Sequence, residues 1–271
     1  MDVCIFSAKS KTSGLLYKTF FDLLTTLTVS NENGSCRQAC FKISNAGMTI
    51  FSSSPRDICL EANFRRKDFF SFALNGPEIC IGANLEFVKN FFRTARKSYD
   101  VEFKVFQPQR DSFPSEMTIV IAEANGKLNQ THKINIENIQ NVELNTALTP
   151  TISPIQINKE DFNALKSIGT MNEGNGKVRI TAGPKSATFF SDINSIASKS
   201  IFIGDSDDSK NTYDEVFHSS HIRNIHKTSA FSSFVKMFAV TKQPLMFETN
   251  IGDIGYLNLW VKPISFDQST C

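Results

Sequence analysis

Short apolar segments, many of them alternating with polar residues, run along the whole chain and predict a protein built mainly of β-strands. Gly, Asn, Asp or Pro residues separate neighbouring segments, as β-hairpins require. Many short strands with few helices are typical of antiparallel sheets. The predicted strands of the first half are Val3–Ala8, Ala39–Ile43, Met48–Ser52, Ile58–Phe64, Val101–Phe106, Met117–Ala122 and His132–Ile136. Those of the second half are Ile155–Ile157, Val178–Thr181, Ala187–Phe190, Ser200–Ile203, Phe234–Val240, Leu245–Asn250 and Tyr256–Val261.

Apolar residues recur at helical spacing in four places, and each place predicts an amphipathic helix with one buried face. The predicted helices are Ser13–Leu27, Asn84–Lys97, Lys159–Ile168 and Ser219–Lys227. They fall at matching points of two halves, and each half runs strand, helix, several strands, helix and closing strands. This matching order indicates a duplicated domain.

The segment between the halves, residues 139–153, has the sequence IQNVELNTALTPTIS and lacks glycine. Pro150, with Pro154 just beyond, favours extended geometry in the residues before each proline, so we expect an extended connector. The predicted organisation is an N-terminal domain of residues 1–138, a connector of residues 139–153 and a C-terminal domain of residues 154–271.

The composition is that of a globular protein, with 41% hydrophobic and 21% charged residues in a chain of 271. No apolar run is long enough to span a bilayer, and we expect neither a signal peptide nor a membrane partner. The six cysteines form no Cys-x-x-Cys pair, which favours reduced thiols in the cytosol or nucleus. The net charge of +2 by itself predicts no partner.

The motifs that suggest catalysis or metal binding fail on their spacing. Gly174–Lys177 lacks the Walker pattern, and Asp205–Asp208 lacks the glycine and glutamate of a calcium loop. His218, His221 and His226 match no standard zinc spacing. We therefore expect a protein that is not an enzyme and that uses neither a cofactor nor a metal.

Basic residues on the predicted helices form the best local signal for function. At 100° per residue, Lys89, Arg93, Arg96 and Lys97 span about 100° of the second helix, opposite its apolar face. On any single helix, an ordinary solvated face is a sufficient explanation for such basic residues. Basic residues on all four helices, however, indicate a surface that binds DNA phosphates without recognising bases. The candidate DNA-binding residues are Lys11, Lys18, Lys89, Arg93, Arg96, Lys97, Lys159, Lys166, Arg223 and Lys227.

The segment PLMFETNIGDIGYLNLWVKPI, residues 244–264, resembles the final hairpin of the proliferating cell nuclear antigen family of DNA sliding clamps. Residues 39–54 (ACFKISNAGMTIFSSS) and 83–92 (ANLEFVKNFF) are similar to a strand pair and to the second helix of that family. The residues of the final hairpin that match the residue pattern of the family are Asp253, Gly255, Tyr256, Leu257, Trp260 and Pro263.

The resemblance implies an α+β DNA-clamp fold, with two similar domains that each pack two helices on antiparallel sheets. It implies a homotrimeric ring that encircles double-stranded DNA, independently of sequence, and acts as a DNA polymerase processivity factor. The implied partners are a DNA polymerase, other clamp-binding proteins and a clamp loader. The implied location is the nucleus or a viral replication compartment.

Family clamps bind partner peptides in a pocket beneath the connector. The resemblance implies that this pocket contains Met48, Ile50, Leu144, Leu148, Pro244, Trp260, Val261 and Pro263. The chain departs from cellular clamps in its near-neutral charge, its connector and its final strand. These departures fit a viral clamp, and they leave open a subunit of a heteromeric checkpoint clamp or a herpesvirus-type factor that does not close a ring.

Overall fold

A computed structural model of the chain describes residues 2–28, 38–54, 58–109, 112–123, 126–139, 152–170, 176–193, 196–205 and 212–265. The chain divides into two compact units. Unit 1 consists of Met1–Ser53, Leu60–Leu144 and Asn250–Leu257, and unit 2 consists of Ser54–Cys59, Asn145–Thr249 and Asn258–Cys271. The domain boundaries derived from the sequence stay a prediction.

In the first half of the chain, two helices, α1 (Gly14–Thr28) and α2 (Leu85–Phe91), accompany two sheets. One sheet has the strand order β5-β1-β7-β8-β9, and the other contains the order β10-β6-β2-β3-β4. The strands are β1 (Val3–Ser10), β2 (Gln38–Ser44), β3 (Gly47–Ser53), β4 (Ile58–Arg65), β5 (Ser71–Leu74), β6 (Ile79–Asn84), β7 (Tyr99–Gln107), β8 (Glu116–Glu123), β9 (Asn129–Asn135) and β10 (Glu137–Asn138).

The core of unit 1 is aromatic because α1 turns its apolar stripe inward. The Tyr17 ring lies 5.5 Å from Phe64, 5.9 Å from Phe92 and 5.2 Å from Phe103. The Tyr17 hydroxyl forms a buried hydrogen bond with the Ser10 hydroxyl at 3.1 Å, and burial raises the pKa of the phenol. One fully buried ring therefore joins the helix to β4, to β7 and to the segment that follows α2.

The second half repeats this arrangement with α3 (Lys159–Thr170) and α4 (Ser219–Ile225), which pack against each other. It contains the four-stranded sheet β14-β13-β12-β15 and the strand order β18-β17-β16-β11, which continues the nine-stranded sheet that includes β10-β6-β2-β3-β4. In the core, the ring of Phe162 on α3 lies 5.6 Å from that of Phe247. The strands are β11 (Ile155–Asn158), β12 (Lys177–Ala182), β13 (Ser186–Ile193), β14 (Ala197–Gly204), β15 (Tyr213–His218), β16 (Phe234–Phe238), β17 (Leu245–Ile251) and β18 (Gly255–Val261).

The helix predicted over residues 84–97 is wrong beyond Thr94. Helix α2 ends at Phe91, a 3-10 turn covers Phe92–Thr94, and Ala95 is extended with ψ 138°. The chain leaves the helix here and reaches β7, which begins at Tyr99, and Ala95 is buried in the extended form. Arg96 and Lys97 therefore lie outside the helix, and the angles assigned to them do not apply.

Helix α4 is also shorter than its prediction, since it ends at Ile225 and a 3-10 helix, His226–Ala230, follows. Lys227 lies in this second segment.

Within the described ranges, four strands lack a counterpart in the sequence prediction: β5, β6, β10 and β15. β5 has four residues and β10 has two, which is too short for a visible alternation. β15 places Asp214 and Glu215 between its apolar residues. β6 contains Gly82, where the Ile139 side chain occupies the space that a Cβ atom would need.

Several features of the sequence analysis lie outside the described residues. These are Leu144, Leu148 and most of the connector, Gly174–Asn175, and Ser206–Asp208 of the acidic turn. No helix in the described part of the chain is both long enough and apolar enough to cross a bilayer.

The turn between β2 and β3 requires a glycine. Gly47 has φ +148°, and a Cβ atom built on it would lie 2.2 Å from the Phe64 carbonyl oxygen. Gly76 has a similar φ of +124°, but a Cβ atom there would meet nothing within 4 Å. The two glycines thus share an unusual backbone conformation and differ in the space around them.

We expect Gly76→Ala to lower the free energy of unfolding by about 1–3 kcal/mol through backbone strain alone. Gly47→Ala should cost about 1–3 kcal/mol more, because the new methyl group forces the Phe64 backbone to move. Urea unfolding of both variants followed by circular dichroism measures the difference. Equal losses would contradict a role for the contact with Phe64.

Candidate nucleic-acid interface

Helices α1 and α2 lie side by side and run in opposite directions. The Lys18 ammonium donates a hydrogen bond to the Arg93 carbonyl at 2.9 Å, and Lys89 Nζ lies 3.5 Å from Asp22 Oδ1. Later residues of α1 therefore meet earlier residues of the α2 segment. Asn84 fixes the start of α2, since its side-chain oxygen accepts a hydrogen bond from the Glu86 N–H at 3.0 Å.

The remaining DNA-binding candidates of unit 1 are Lys11, Arg96 and Lys97, and they lie where α1 begins. The Ser13 N–H donates to the Tyr99 carbonyl at 2.9 Å, so the chain leaving Arg96 and Lys97 passes the first turn of α1. Lys11, Arg96 and Lys97 are all exposed, as is Arg93. The structure therefore brings the candidate cations of unit 1 onto two adjoining segments, although Arg96 and Lys97 arrive there from a turn.

The Lys89 charge is partly compensated, which the sequence did not indicate. Its partner Asp22 lies on α1, 67 positions away in the numbering, and both side chains are about half exposed, at 42% and 49%. Exposed ion pairs contribute little free energy, so a phosphate can replace Asp22 at small cost.

His226 lies near two of the candidate cations of unit 2. Lys166 on α3 and Lys227 lie near enough for their charges to act on the imidazole. Burial lowers the pKa of His226, a hydrogen bond with the Arg223 carbonyl opposes the shift, and the two lysines lower it further. His226 thus lies close to two lysines, a proximity that its spacing from His218 and His221 in the sequence does not indicate.

Lys159 is the first residue of α3 and is exposed. Glu160 and Asp161 follow it in the same helical turn, so acidic side chains accompany Lys159 on the surface of unit 2. Among the described residues, no group of three or more His, Cys, Asp or Glu side chains is placed to hold a metal ion.

Among the described residues expected in a partner-peptide pocket, all except Pro244 are buried. Met48 is 1% exposed, and Ile50 and Val261 are 0% exposed, so these three side chains are core residues that offer no surface to a peptide. Pro263 is also buried, and Pro244 is half-buried. The pocket itself stays a prediction.

Trp260 belongs to a small apolar cluster in unit 2, at 8% exposure. It packs with Phe238 and Met246, and the half-buried Cys59 lies against the same cluster. None of these three neighbours was selected from the sequence, because they come from separate strands. The residue after Phe238 begins an open groove of about 390 Å³, lined by Ile152, Ser153, Pro184, Ala239, Val240 and Thr241.

We expect Lys166→Gln to raise the pKa of the His226 imidazole, because it removes one of the two positive charges that disfavour protonation. An NMR titration of the imidazole protons measures the change. Lys159→Gln is the matched control, since it removes a lysine of the same helix that does not act on His226. An unchanged His226 pKa in Lys166→Gln would contradict the cluster.

The lowered pKa of His226 makes the free energy of unfolding depend on pH. The folded-state pKa lies below the ordinary value of 6.5, so the unfolded chain binds more protons in this range. The free energy of unfolding should therefore fall as the pH drops below about 6.5, and fall less in Lys166→Gln.

No family model matches the sequence. Uncharacterized protein 436R of Invertebrate iridescent virus 6 is 25% identical to this chain over an alignment of 289 residues. The alignment covers 96% of this chain and 93% of the viral protein. The crystal structure of Proliferating Cellular Nuclear Antigen from Entamoeba histolytica matches with a TM-score of 0.76 at 14% identity, covering 96% of this chain and 99% of that one. The chain therefore has the fold of the sliding clamp, which confirms the α+β clamp fold predicted from its sequence.

Proposed function

We propose that this protein is a DNA polymerase processivity factor, which encircles duplex DNA as a homotrimer and tethers replication proteins to it. The observation that carries the proposal is the set of exposed Lys and Arg side chains on the paired helical segments of both units, in a chain with the clamp fold. Such a fold supports a scaffold rather than an enzyme.

The proposed mechanism depends on weak contacts. Lys11, Arg93 and Arg96 are exposed, so salt screens their attraction to phosphates, and each contact exchanges readily with the next phosphate along the duplex. Such contacts permit sliding, while the closed ring prevents dissociation. A tethered polymerase then stays at a high effective concentration near the primer end.

Open sheet edges support ring closure. β9 ends one sheet of unit 1, and β14 ends the four-stranded sheet of unit 2. These strands have 7 and 8 residues, and an open edge offers unpaired N–H and C=O groups to another strand. Pairing β9 of one copy with β14 of the next is a head-to-tail contact, which forms a ring when the rotation closes.

The partners we propose are a DNA polymerase, other clamp-binding proteins and a clamp loader. A partner peptide would bind near Pro244, Trp260 and Pro263, together with Leu144 and Leu148 of the connector. The open, partly apolar groove beside Ala239 and Val240 is lined by other residues, so the location of the peptide rests on the family resemblance. Replication in a nucleus or a viral compartment fits both the fold and the viral relative.

We expect the triple substitution of Lys89, Arg93 and Arg96 by Ala to weaken binding to duplex DNA and to reduce polymerase stimulation. If each side chain contacts one phosphate, the dependence of log K on log salt should become shallower by about 2.7. Binding to a labelled duplex across a salt series measures the slope, and primer extension measures the stimulation.

The matched control replaces Lys42, Lys104 and Lys236 by Ala. It removes the same charge from strands, where these lysines pair with Glu78, Glu102 and Glu248. Primer extension that is unchanged in the helix triple variant would refute the DNA-contact assignment, whereas equal losses in both variants would show a general charge effect.

Light scattering over a concentration series should give about three times 30.3 kDa for the wild-type chain. Phe202→Glu should shift the mass toward the monomer, because Phe202 is 52% exposed on the open edge strand β14. Phe234→Glu is the control, since Phe234 is 55% exposed on β16, which has neighbours on both sides.

Other masses would contradict a self-closing ring. A dimer would favour the herpesvirus-type factor that does not encircle DNA. A monomer at every concentration would favour a subunit of a heteromeric clamp.

A further inference from the structure

A further basic surface shares Lys11 with the duplex-binding candidates, lies outside the four α-helices, includes the 3-10 helix Arg66–Asp68 and combines cations with an exposed aromatic ring. Residues 9–12 and 65–70 carry five Lys or Arg side chains and one carboxylate, Asp68. We call this surface the basic–aromatic corner and define it by Lys11, Arg65, Arg66, Lys67 and Phe70. All five residues belong to unit 1, and all five are exposed.

Phe70 is largely exposed to solvent. Its side chain is 61% exposed, whereas its neighbour Phe69 is 8% exposed and lies 5.5 Å from the Phe72 ring. The Lys11 ammonium lies 3.4 Å from the centroid of the Phe70 ring. A cation at this distance is attracted to the ring and holds a positive charge beside it.

The backbone around Phe70 is held in place. The Phe70 N–H donates to the Lys9 carbonyl at 2.8 Å, and the Phe69 N–H donates to the Arg66 carbonyl at 3.3 Å. On the other side, the Arg66 N–H donates to the Ala46 carbonyl at 2.8 Å. The ring therefore stands on an ordered loop, so a ligand that contacts it does not have to order the backbone first.

Three cations of this surface lack a carboxylate partner within the described residues. Lys9 pairs with Asp100 at 3.2 Å, and Arg65 pairs with Asp68 at 2.6 Å. Arg66 instead lies over the Phe72 ring, at 5.6 Å from its centroid. Lys11, Arg66 and Lys67 thus remain available to an anion.

We propose that the basic–aromatic corner binds single-stranded DNA, with one unpaired base stacked on Phe70 and neighbouring phosphates on Lys11, Arg66 and Lys67. Aromatic rings beside cations bind single strands because every unpaired base has a face to stack, while the cations follow the backbone. A base inside a duplex is already stacked on both faces and cannot occupy Phe70. The choice of DNA rests on the proposed function, and the ligand would be the template strand beside the duplex.

The test uses the full chain and a fluorescently labelled oligothymidylate of 20 nucleotides, with binding measured by anisotropy. Phe70→Ala should weaken binding by about fivefold to 100-fold, the effect of losing one stacked base. Phe113→Ala is the matched control, since Phe113 is 73% exposed in unit 1 and should leave the affinity unchanged.

A second variant tests stacking directly. Phe70→Trp should keep the affinity, and its indole fluorescence should be quenched when oligothymidylate binds. The chain has one native tryptophan, Trp260, and its 8% exposure keeps its signal separable. Replacing both Arg66 and Lys67 by Ala should make the salt dependence shallower by about 1.4, which corresponds to two phosphate contacts on a single strand.

Wild-type affinity in Phe70→Ala would overturn the proposal, as would a wild-type chain that does not bind oligothymidylate. Equal losses on oligothymidylate and on blunt duplex DNA would also overturn it, because stacking requires an unpaired base. Binding of a short single strand needs neither a ring nor a polymerase. Its failure is therefore distinct from failure of the processivity proposal, which the Lys89, Arg93 and Arg96 variant tests.

Discussion

The surface of unit 1 depends on the packing of Tyr17. This side chain is 0% exposed and contacts aromatic rings from β4, from β7 and from the turn after α2. Because these contacts fix the rotation of α1 about its axis, they also decide which residues face outward. Lys18 reaches the Arg93 carbonyl, and Asp22 reaches Lys89, only in this rotation. The basic surface is therefore a consequence of an aromatic core.

The protein has a small net charge, and its charged residues are spread over the chain. A net charge of +2 supplies little long-range attraction to nucleic acid. Local clusters have the stronger effect. Cations lie on and beside the α1 and α2 segments, two lysines lie near His226 in unit 2, and others accompany Phe70 at the basic–aromatic corner. We propose the first two as contacts for duplex phosphates and the third as a stacking site for an unpaired base.

Individual helices and strands show which features could be predicted from the sequence. Helix α1 was predicted to within about one residue of both ends, because its Leu and Phe spacing has a clear helical period. The prediction for helix α2 was too long, because Ala95 fits the apolar spacing of a helix but is buried in an extended backbone. β15 was missed, since Asp214 and Glu215 interrupt its pattern; Asp214 forms an ion pair with Arg179 of the neighbouring strand, a partner 35 positions away.

The sequence by itself determined the fold class, the duplicated order of elements, the clamp-like C-terminal hairpin and the candidate basic residues. These features depend on local periodicity and on short motifs, which can be recognised in the amino-acid sequence alone. Only the tertiary structure decided that Lys89 faces Asp22, that His226 sits among cations, and that Phe70 is exposed beside Lys11 while Phe69 is buried. Each of these depends on groups distant in the chain that folding brings together, and local pattern carries no information about such pairs.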